Sequence, residues 1–338
     1  MMKQFCKISF PAIRIFIALF FFLSCNQNDR KSTKGDKLVG DIIIFHAGSL
    51  AVPMKLLADS FQQLHPEVNI LSEAAGSVAS ARKITDMHRD CDIMASADFS
   101  VIDKMLIPKY SSWNIKFASN EMSIVFTDNS KYANEINQNN WFRILMRNDV
   151  SFGRADPNSD PCGYRSVMMI KLSEKYYNVP GLSETFLKKD LRFIRPKEVD
   201  LLSLMETNNI DYIFIYKSVA VQHKLKFLNF PEEINLSNPD LSTLYKSVSV
   251  EINGDKPGDK IVQHGEPVVY GLTILRDAPH KEAAMAFVEF ILSKRGMAIV
   301  EKCGQPSVIP SYSSSFESIP KTLKQFASKS PPPTLYKN

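Results

Sequence analysis

Two short turns in the chain have the same sequence and the same position between a predicted strand and a predicted helix. Ala-Gly-Ser occupies residues 47–49 and again residues 75–77. A serine at the start of a helix leaves backbone N–H groups pointing outward at the positive end of the helix dipole, which favours an anion. Two such turns facing one cleft would hold an oxyanion with neutral donors. The alternative is that Ser49 and Ser77 only cap their helices, and the sequence pattern leaves both interpretations open.

The segment from Asp156 to Arg165, which begins with a predicted loop at 156–163, is the least ordinary part of the chain. It contains two Asp-Pro pairs and a glycine in the run Asp-Pro-Asn-Ser-Asp-Pro-Cys-Gly-Tyr-Arg. These residues predict a stiff turn just before a helix. Asp160 is therefore a candidate binding residue, but it also fits a helix cap in a turn that binds nothing.

Two further polar residues have ordinary structural explanations beside a functional one. Glu198 is predicted in the first turn of a helix, where a carboxylate interacts favourably with the helix dipole. Tyr216 ends an apolar strand, where a tyrosine is more often part of the core. Their residue types alone do not assign either of them to a site.

Motifs typical of enzymes are absent from the sequence. The six histidines have neither HxH nor HExxH spacing, and there is no GxSxG, no GxxxxGK[ST] and no GxGxxG after a strand. One alternative is a thiol-dependent enzyme in which Cys162 pairs with a distant histidine. We predict no catalytic residues, and we expect the chain not to be an enzyme.

The elements that would position the candidate residues alternate between strand and helix. One helical face begins at Leu50 and recurs at Met54, Leu57, Phe61 and Leu64. Apolar runs predict strands at 41–46, 68–71, 91–96, 122–126, 150–154, 211–216 and 267–275, and further helices are predicted at 165–177, 196–206 and 281–294. This alternation predicts an open α/β sheet with parallel strands, in which ligands bind at the carboxyl ends of strands.

The composition indicates an ordinary globular protein with no nucleic-acid partner. The chain has 338 residues, enough for two average domains. Its 41 Lys and Arg residues are interspersed with 36 Asp and Glu residues, which gives a net charge of +5 without a basic stripe.

The N-terminus has the pattern of an export signal. Basic residues precede an apolar run from Ile15 to Leu23, which is too short to span a bilayer, and Ser24 and Cys25 follow. The run Phe-Leu-Ser-Cys resembles a bacterial lipobox. We therefore predict a signal peptide at 1–24 and a lipidated Cys25 at the start of a flexible tether, 25–40. A cleaved signal with an incidental cysteine is the alternative. Either way the mature protein is expected outside the cytoplasm, in the periplasm or anchored at the cell surface through lipid.

The cysteines allow little covalent cross-linking. The chain has five, at positions 6, 25, 91, 162 and 303. If Cys6 leaves with the signal and Cys25 carries lipid, three remain and at most one disulfide can form. No pair has CxxC spacing, which excludes a zinc knuckle and a thioredoxin motif.

At these residues the chain resembles a known family. It is similar to the periplasmic molybdate/tungstate-binding proteins of ABC transporters, specifically the tungstate-type branch, from about Asp41 to Pro310. The segments that carry the resemblance are His-Ala-Gly-Ser-Leu (46–50), Gly-Ser (76–77), Ala-Ser-Ala-Asp (95–98), Asp-Pro-Cys-Gly-Tyr-Arg (160–165), Arg-Pro-Lys-Glu (195–198) and Asp-Tyr through Tyr-Lys-Ser-Val-Ala (211–220).

The resemblance implies a fold and a set of partners. The expected fold is the α/β, two-lobed periplasmic-binding-protein fold of type II, each lobe a central mixed sheet flanked by helices. Lobe 1 would comprise 41–117 plus 276–338, and lobe 2 would comprise 118–275. The lobes would close on the ligand like a hinged clam, and the protein, expected as a monomer, would deliver it to an ABC transporter permease.

The resemblance also implies roles for individual residues. Ser49 and Ser77 would bind the oxygens of tungstate or molybdate, with help from backbone near Cys162 and from Tyr216. Asp160 and Glu198 would coordinate the metal itself and make it six-coordinate. Carboxylates can lie beside this anion because the hexavalent metal at its centre carries positive charge and accepts oxygen ligands. No cofactor is expected besides this bound ligand.

Binding proteins of the same fold for sulfate, phosphate or ferric iron are the nearest alternatives. A ferric site would need paired Tyr or His ligands, and Tyr216 has no obvious Tyr neighbour in the sequence. Sulfate has no centre that accepts carboxylates, so Asp160 and Glu198 would repel it.

Overall fold

The computed structural model describes residues 38–254 and 258–331. The predicted signal peptide, 1–24, and Cys25 lie outside these ranges. Within the described residues no helix is both long enough and apolar enough to cross a membrane.

The strands of the described residues form two five-stranded sheets and two small pairs. They are β1 (Gly40–Ala47), β2 (Val68–Ala75), β3 (Ile93–Ser96), β4 (Ile115–Ser119), β5 (Met122–Phe126), β6 (Phe152–Ala155), β7 (Ile194–Arg195), β8 (Tyr212–Tyr216), β9 (Lys226–Phe227), β10 (Ser249–Asn253), β11 (Lys260–His264), β12 (Val269–Ile274), β13 (Ser311–Tyr312) and β14 (Ala327–Ser328).

The first sheet has the strand order β2-β1-β3-β12-β4 and forms the centre of the first lobe. β1 is parallel to β2 and β3, whereas β12 is antiparallel to β3 and β4. Every residue of β3 is buried. This strand is therefore covered on both faces, as expected for a central strand of mainly apolar residues. The sheet is therefore mixed, as the resemblance implies, and not purely parallel as the strand–helix alternation alone suggests.

The second sheet has the order β7-β6-β8-β5-β9 and forms the centre of the second lobe. β6 is parallel to β7 and β8, and β5 is antiparallel to β8 and β9. All five residues of β8 are buried, so this strand lies at the centre of its lobe.

The boundary between the lobes differs from the one expected. Residues 118–275 were assigned to the second lobe, but β12 pairs within the first sheet, where Gly271 lies opposite Ser96. The chain enters the second lobe at Asn120, between β4 and β5, and returns just before β12. An apolar run marks β12 as a strand, but it contains no information about a partner so distant in sequence.

Helices cover both sheets. The α-helices of the described residues are α1 (Ala51–Gln62), α2 (Ser77–Thr85), α3 (Phe99–Val101), α4 (Trp141–Leu145), α5 (Pro161–Tyr176), α6 (Leu182–Lys188), α7 (Asp200–Glu206), α8 (Lys217–His223), α9 (Glu232–Asn235), α10 (Ser242–Tyr245), α11 (Lys281–Leu292) and α12 (Lys294–Lys302). A π-helix follows α3 at Ile102–Leu106, and 3₁₀ turns lie at Gly48–Leu50, Leu191–Phe193, Pro239–Leu241, Phe316–Ser318 and Lys321–Phe326.

The apolar face predicted for α1 is buried for most of its length. Met54, Leu57 and Phe61 lie in the core, whereas Leu64 lies beyond the helix end and is exposed. α11 packs on this face, with the rings of Phe61 and Phe287 5.0 Å apart. The two helices thus close one side of the first lobe.

α5 begins four residues earlier than predicted. Asp160 caps it and Pro161 occupies the first helical position, where the missing N–H costs nothing. Consequently the Pro-Cys-Gly-Tyr-Arg run forms the first turns of the helix, at the edge of the second sheet that faces the first lobe.

The antiparallel pair β10–β11 contacts both lobes. Lys171 on α5 donates to the carbonyl of Ser249 at 2.6 Å, and Arg82 on α2 donates to the carbonyl of Gly254 at 3.2 Å. The described part of the C-terminal segment wraps along β4, where Ser311 donates to the carbonyl of Lys116 at 2.6 Å.

Candidate functional site

The two Gly-Ser turns are neighbours because β1 and β2 are adjacent and in register, with Ala47 opposite Ala75. Neither serine side chain caps a helix. The N-cap of α2 is Gly76, and no side chain caps it or the start of α1. Instead the Ser49 hydroxyl lies 2.9 Å from the hydroxyl of Tyr270, and Ser77 Oγ accepts the backbone N–H of Ala97 at 3.0 Å. The interpretation of these serines as simple caps is therefore wrong.

Asp160 joins two loops of the second lobe. Its Oδ1 accepts the N–H of Cys162 at 2.9 Å, which is the cap of α5, and its Oδ2 accepts the N–H of Glu198 at 3.0 Å. The side chain is buried, and this burial raises the pKa of Asp160. Asp160 is thus a helix cap, as one sequence interpretation held, and it also fixes the position of Glu198.

Glu198 is 1% exposed, and neither of its carboxylate oxygens has a hydrogen-bond partner among the described residues. It lies near the Asp160 carboxyl and the backbone of Ser49, but these approaches lack the geometry of a hydrogen bond. Burial, followed by the negative charge of Asp160, raises the pKa of Glu198 well above its usual range. A buried carboxyl group without a partner is costly, so Glu198, next to Asp160, is the candidate position for a ligand.

The placement predicted for Glu198 within its helix is wrong. It precedes α7 by two residues, in a turn where its carbonyl accepts the N–H of Leu201 at 3.2 Å. Glu198 therefore lies before the first turn of α7, and its carboxylate makes no hydrogen bond to that turn.

Two glycines of the first lobe lie against these acidic loops. A Cβ atom added to Gly48 would be 2.7 Å from Glu198 Oε2, and one added to Gly76 would be 2.2 Å from the carbonyl oxygen of Ser159. The Ser159 carbonyl also accepts the N–H of Ala79, at 3.1 Å. The Gly-Ser turns of one lobe and the carboxylate loops of the other thus form opposite walls of one site.

Further side chains reach across the cleft from α5. Arg165 donates through Nη1 to the carbonyl of Ala97 at 2.7 Å and to the hydroxyl of Tyr216 at 3.1 Å. Its Nη2 lies 3.2 Å from Asp98 Oδ2, an ion pair without hydrogen-bond geometry, and Tyr164 donates to the same oxygen. All of these side chains are buried, so the lobes are held in a closed arrangement.

Tyr216 ends β8 as predicted and is fully buried. Burial raises the pKa of its phenol well above the ordinary value, so the group is neutral and its oxygen accepts from Arg165. The residue is both a core side chain and part of the wall of the site.

Cys162 contributes mainly through its backbone. Its N–H donates to Asp160 Oδ1 at 2.9 Å, and the expected help from backbone near Cys162 in binding an anion stays a prediction. Burial, with the charges of Asp160 and Glu198, raises the pKa of the thiol well above its usual value. A thiolate nucleophile is disfavoured for that reason. Cys91, Cys162 and Cys303 are all buried free thiols.

Several residues at the site carried no prediction. Asp98 and Arg165 belong to segments that carry the resemblance but have no predicted role of their own, and no pattern in the sequence singles out Tyr270 or Asn120. Tyr270 lies in an apolar strand and so resembles a core residue in the sequence. Asp98 lies two residues after the end of β3, and a polar residue just after a buried strand is a signal that could reveal it.

Two α/β lobes closed around a polar site define a binding protein whose ligand lies between them. Residues 42–304 match the family model described as bacterial extracellular solute-binding protein, and the chain belongs to this family. This membership confirms the expectation of a binding protein of extracytoplasmic location rather than an enzyme.

Relatives cover nearly the whole chain. An uncharacterized solute-binding protein of Petrotoga mobilis is 42% identical over 326 residues, which cover 96% of this chain and 98% of the relative. The molybdate/tungstate-binding protein WtpA of Pyrococcus abyssi is 40% identical over 334 residues, which cover 90% and 94%.

Solved structures share the fold at low sequence identity. The periplasmic molybdate-binding protein of Azotobacter vinelandii aligns with a TM-score of 0.59 at 14% identity, over 80% of this chain and 99% of that one. The sulfate-binding protein SubI of Mycobacterium tuberculosis aligns with a TM-score of 0.57 at 13% identity, over 80% and 88%. The two-lobed periplasmic-binding-protein fold is thereby confirmed.

Proposed function

We propose that the protein captures tungstate or molybdate between its lobes and delivers the anion to an ABC transporter permease. The observation that carries this proposal is the Glu198 carboxylate, which is buried beside Asp160 with both oxygens unpartnered among the described residues. A hexavalent metal centre accepts hard oxygen ligands and compensates two neighbouring carboxylates. An anion that only accepts hydrogen bonds has no centre that the carboxylates can coordinate and does not compensate their charge.

The two walls of the site then have different tasks. The hydroxyls of Ser49 and Ser77 donate to oxygens of the anion, and Tyr216 lines the same space. Asp160 and Glu198 supply one ligand each from the second lobe, which raises the metal from four-coordinate to six-coordinate. Cys162 acts by holding the Asp160 carboxylate through its backbone N–H.

The alternatives fit the site less well. Sulfate would face two carboxyl groups with no centre to bind them, and phosphate shares this difficulty. Ferric iron favours paired Tyr or His ligands, whereas the site presents the carboxylate oxygens of Glu198, which have no hydrogen-bond partner among the described residues, and the Tyr216 hydroxyl is already hydrogen-bonded to Arg165. A thiol enzyme is disfavoured because burial suppresses ionisation of Cys162. The name of the 40% identical relative from Pyrococcus abyssi supports the oxyanion that we propose.

Calorimetric titration with tungstate, molybdate and sulfate tests the ligand. We expect tight binding of the first two and little binding of sulfate. X-ray absorption at the tungsten edge should then give six oxygen neighbours in the complex instead of the four of free tungstate. Equal affinity for sulfate, or a four-coordinate bound tungsten, would contradict the proposal.

The anchor is a separate part of the proposal and rests on the sequence around Cys25. We infer a monomeric lipoprotein that is held at the membrane through Cys25. In a native-like bacterial host the wild type should partition with membranes, and Cys25→Ala should release or mislocalise it. Recovery of the wild type entirely in the soluble periplasmic fraction would exclude the anchor but leave the binding function untouched.

A further inference from the structure

A chain of polar side chains extends behind Ser49, away from the cleft. The hydroxyl of Tyr270 lies 2.9 Å from Ser49 Oγ, and Asn120 Nδ2 donates to the same Tyr270 hydroxyl at 2.8 Å. All three residues are buried. Tyr270 lies on β12, and Asn120 lies at the point where the chain crosses from the first lobe to the second.

The orientation of the Asn120 amide is fixed by its other contacts. Its Oδ1 accepts the backbone N–H of Glu121 at 2.9 Å and that of Ser218 at 3.3 Å. These two groups can only donate, so they require an oxygen at that position. The opposite atom, facing Tyr270, is therefore the NH₂ group, which also can only donate.

This orientation sets the direction of the hydrogen bonds from Asn120 through Tyr270 to Ser49. The Tyr270 oxygen accepts from Asn120, so the phenolic proton of Tyr270 is left for another acceptor. Ser49 Oγ, at 2.9 Å, is the acceptor with hydrogen-bond geometry, because the nearby side-chain oxygen of Gln305 has no hydrogen-bond partner among the described residues. Ser49 then accepts from behind, and its own proton is free to point into the cleft. A hydroxyl that would otherwise choose between donating and accepting is left as a donor.

The Ser77 hydroxyl is also left as a donor, through a different contact. Its Oγ accepts the backbone N–H of Ala97 at 3.0 Å, and that N–H can only donate. The hydroxyls of both cleft serines are thus occupied as acceptors from behind, and each retains its proton for a ligand. The agreement between the two serines indicates that donation into the cleft is the common requirement.

We propose that Tyr270 and Asn120 are positioning residues that make the Ser49 hydroxyl an obligatory donor to the bound oxyanion. The inference rests on the proposed function, because it assumes that Ser49 faces the anion. Tyr270 and Asn120 need not touch the anion themselves. Their effect on binding passes through Ser49.

A double-mutant cycle with tungstate as the probe tests this coupling. Tyr270→Phe keeps the ring, which packs near Phe117 and Tyr216, and removes only the hydroxyl. We expect it to weaken tungstate binding about five- to tenfold, because Ser49 can then rotate away. Ser49→Ala should weaken binding at least as much, and the double variant should bind no more weakly than Ser49→Ala alone. Additive losses, or unchanged affinity in Tyr270→Phe, would overturn the positioning role.

Asn120→Asp reverses the direction of these hydrogen bonds with almost no change in side-chain shape. An ionised carboxylate only accepts, so Tyr270 must donate to it and Ser49 must donate to Tyr270. The Ser218 hydroxyl, which accepts from Asn120 Nδ2 at 2.7 Å, must then donate as well. The added charge also repels an anion, and this part is measured by making Asn120→Asp in the Ser49→Ala background. The loss should be larger in the protein that retains Ser49 than in the Ser49→Ala background. Equal losses in both backgrounds would overturn the proposal. If Tyr270→Phe fails to fold, this second cycle tests the proposal in its place.

Tyr245→Phe is the matched control. Tyr245 is another buried tyrosine, and its hydroxyl donates to the carbonyl of Glu232. Its removal should lower the melting temperature without changing tungstate affinity. If the wild type binds no oxyanion at all, the proposed function and this inference fall together. If it binds tungstate and the cycle is additive, only the positioning role falls.

Discussion

Glu198 Oε2 occupies the space next to Gly48 where any other residue would have its side chain, 2.7 Å from the position of a Cβ atom. The glycine belongs to the first lobe and the carboxylate to the second. This approach is possible only because Gly48 has no Cβ, and it brings an unpartnered carboxylate next to the Ser49 turn. The contact defines where the two lobes meet.

Removal of either carboxylate distinguishes metal coordination from hydrogen bonding. Asp160→Ala or Glu198→Ala should weaken tungstate binding by at least about 2–3 kcal/mol, roughly 30- to 150-fold, because a ligand to the metal is lost. Selectivity over sulfate should decrease in both variants, since repulsion of a non-coordinating anion also decreases. Calorimetric titration measures both quantities.

Ser49→Ala is the control for this pair, because loss of a donor to oxygen should weaken all oxyanions together. If the site used only hydrogen bonds, removal of a negative charge would strengthen every anion. Tungstate affinity that is unchanged or increased in both carboxylate variants, with folding intact, would exclude the six-coordinate assignment. Oxyanion binding itself would survive that result.

The two glycines of the Gly-Ser turns should differ in the effect of an added methyl group. Gly76→Ala brings Cβ to 2.2 Å from a backbone carbonyl, so the lobes cannot close fully and all oxyanions should bind at least about tenfold more weakly. Gly48→Ala meets only the end of the Glu198 side chain, so it should reproduce the selective loss of Glu198→Ala. Addition of Gly48→Ala to Glu198→Ala should then cost little affinity. Identical anion profiles for the two glycine variants would contradict this distinction.

Closure of the lobes should depend on the pair formed by Asp98 and Arg165. Tungstate should decrease the radius of gyration measured by solution scattering, because the hinge closes around it. Asp98→Asn preserves the shape and the N-cap of α3 but removes the charge that faces Arg165 and the oxygen that accepts from Tyr164, so tungstate should dissociate about tenfold faster. Asp59→Asn, which removes an exposed ion pair with Lys55, is the control and should leave dissociation unchanged. Scattering curves that coincide with and without ligand would argue against hinged capture.

His46 should make folding stability sensitive to acid. It is buried on β1, and burial lowers its pKa to about 4, with smaller contributions from Lys197 and Lys83. Between pH 6.5 and 4 the unfolded chain binds a proton that the folded chain does not, so stability falls as the pH falls through this window. From pH 7 to pH 5 the loss from this group should be about 2 kcal/mol.

Urea unfolding of the wild type and His46→Gln at the two pH values isolates this contribution. The variant is expected to lose less stability on acidification, by about the same 2 kcal/mol. Parallel losses in the two proteins would assign the acid sensitivity to other groups.

The sequence predicts the local elements well because each depends on neighbouring residues. The apolar run of β8 and the periodic face of α1 are both present where expected. The first turn of α5 was missed because the Asp-Pro pair was interpreted as a loop that precedes the helix. In fact Asp160 and Pro161 are its cap and its first residue.

The site was predictable only in part. Ser49, Ser77, Asp160 and Glu198 converge as the resemblance implies, although their roles toward a ligand remain predictions. Asn120 and Tyr270 are 150 residues apart, and no local pattern relates them. Their importance depends on the direction of hydrogen bonds, which only the three-dimensional arrangement provides.

The position of β12 in the first sheet constrains the order in which the chain can fold. Among the described strands, β4 has β12 as its only neighbour in that sheet, and β12 follows it by about 150 residues. All strands of the second sheet lie between them in the sequence and, within the described ranges, pair with one another. The second lobe can therefore form from one continuous segment, while the first sheet stays incomplete until nearly the whole chain has emerged. During export from the N-terminus, β4 would remain an unpaired edge for most of that time, and pulsed hydrogen exchange during refolding should show β5, β6 and β8 protected before β4.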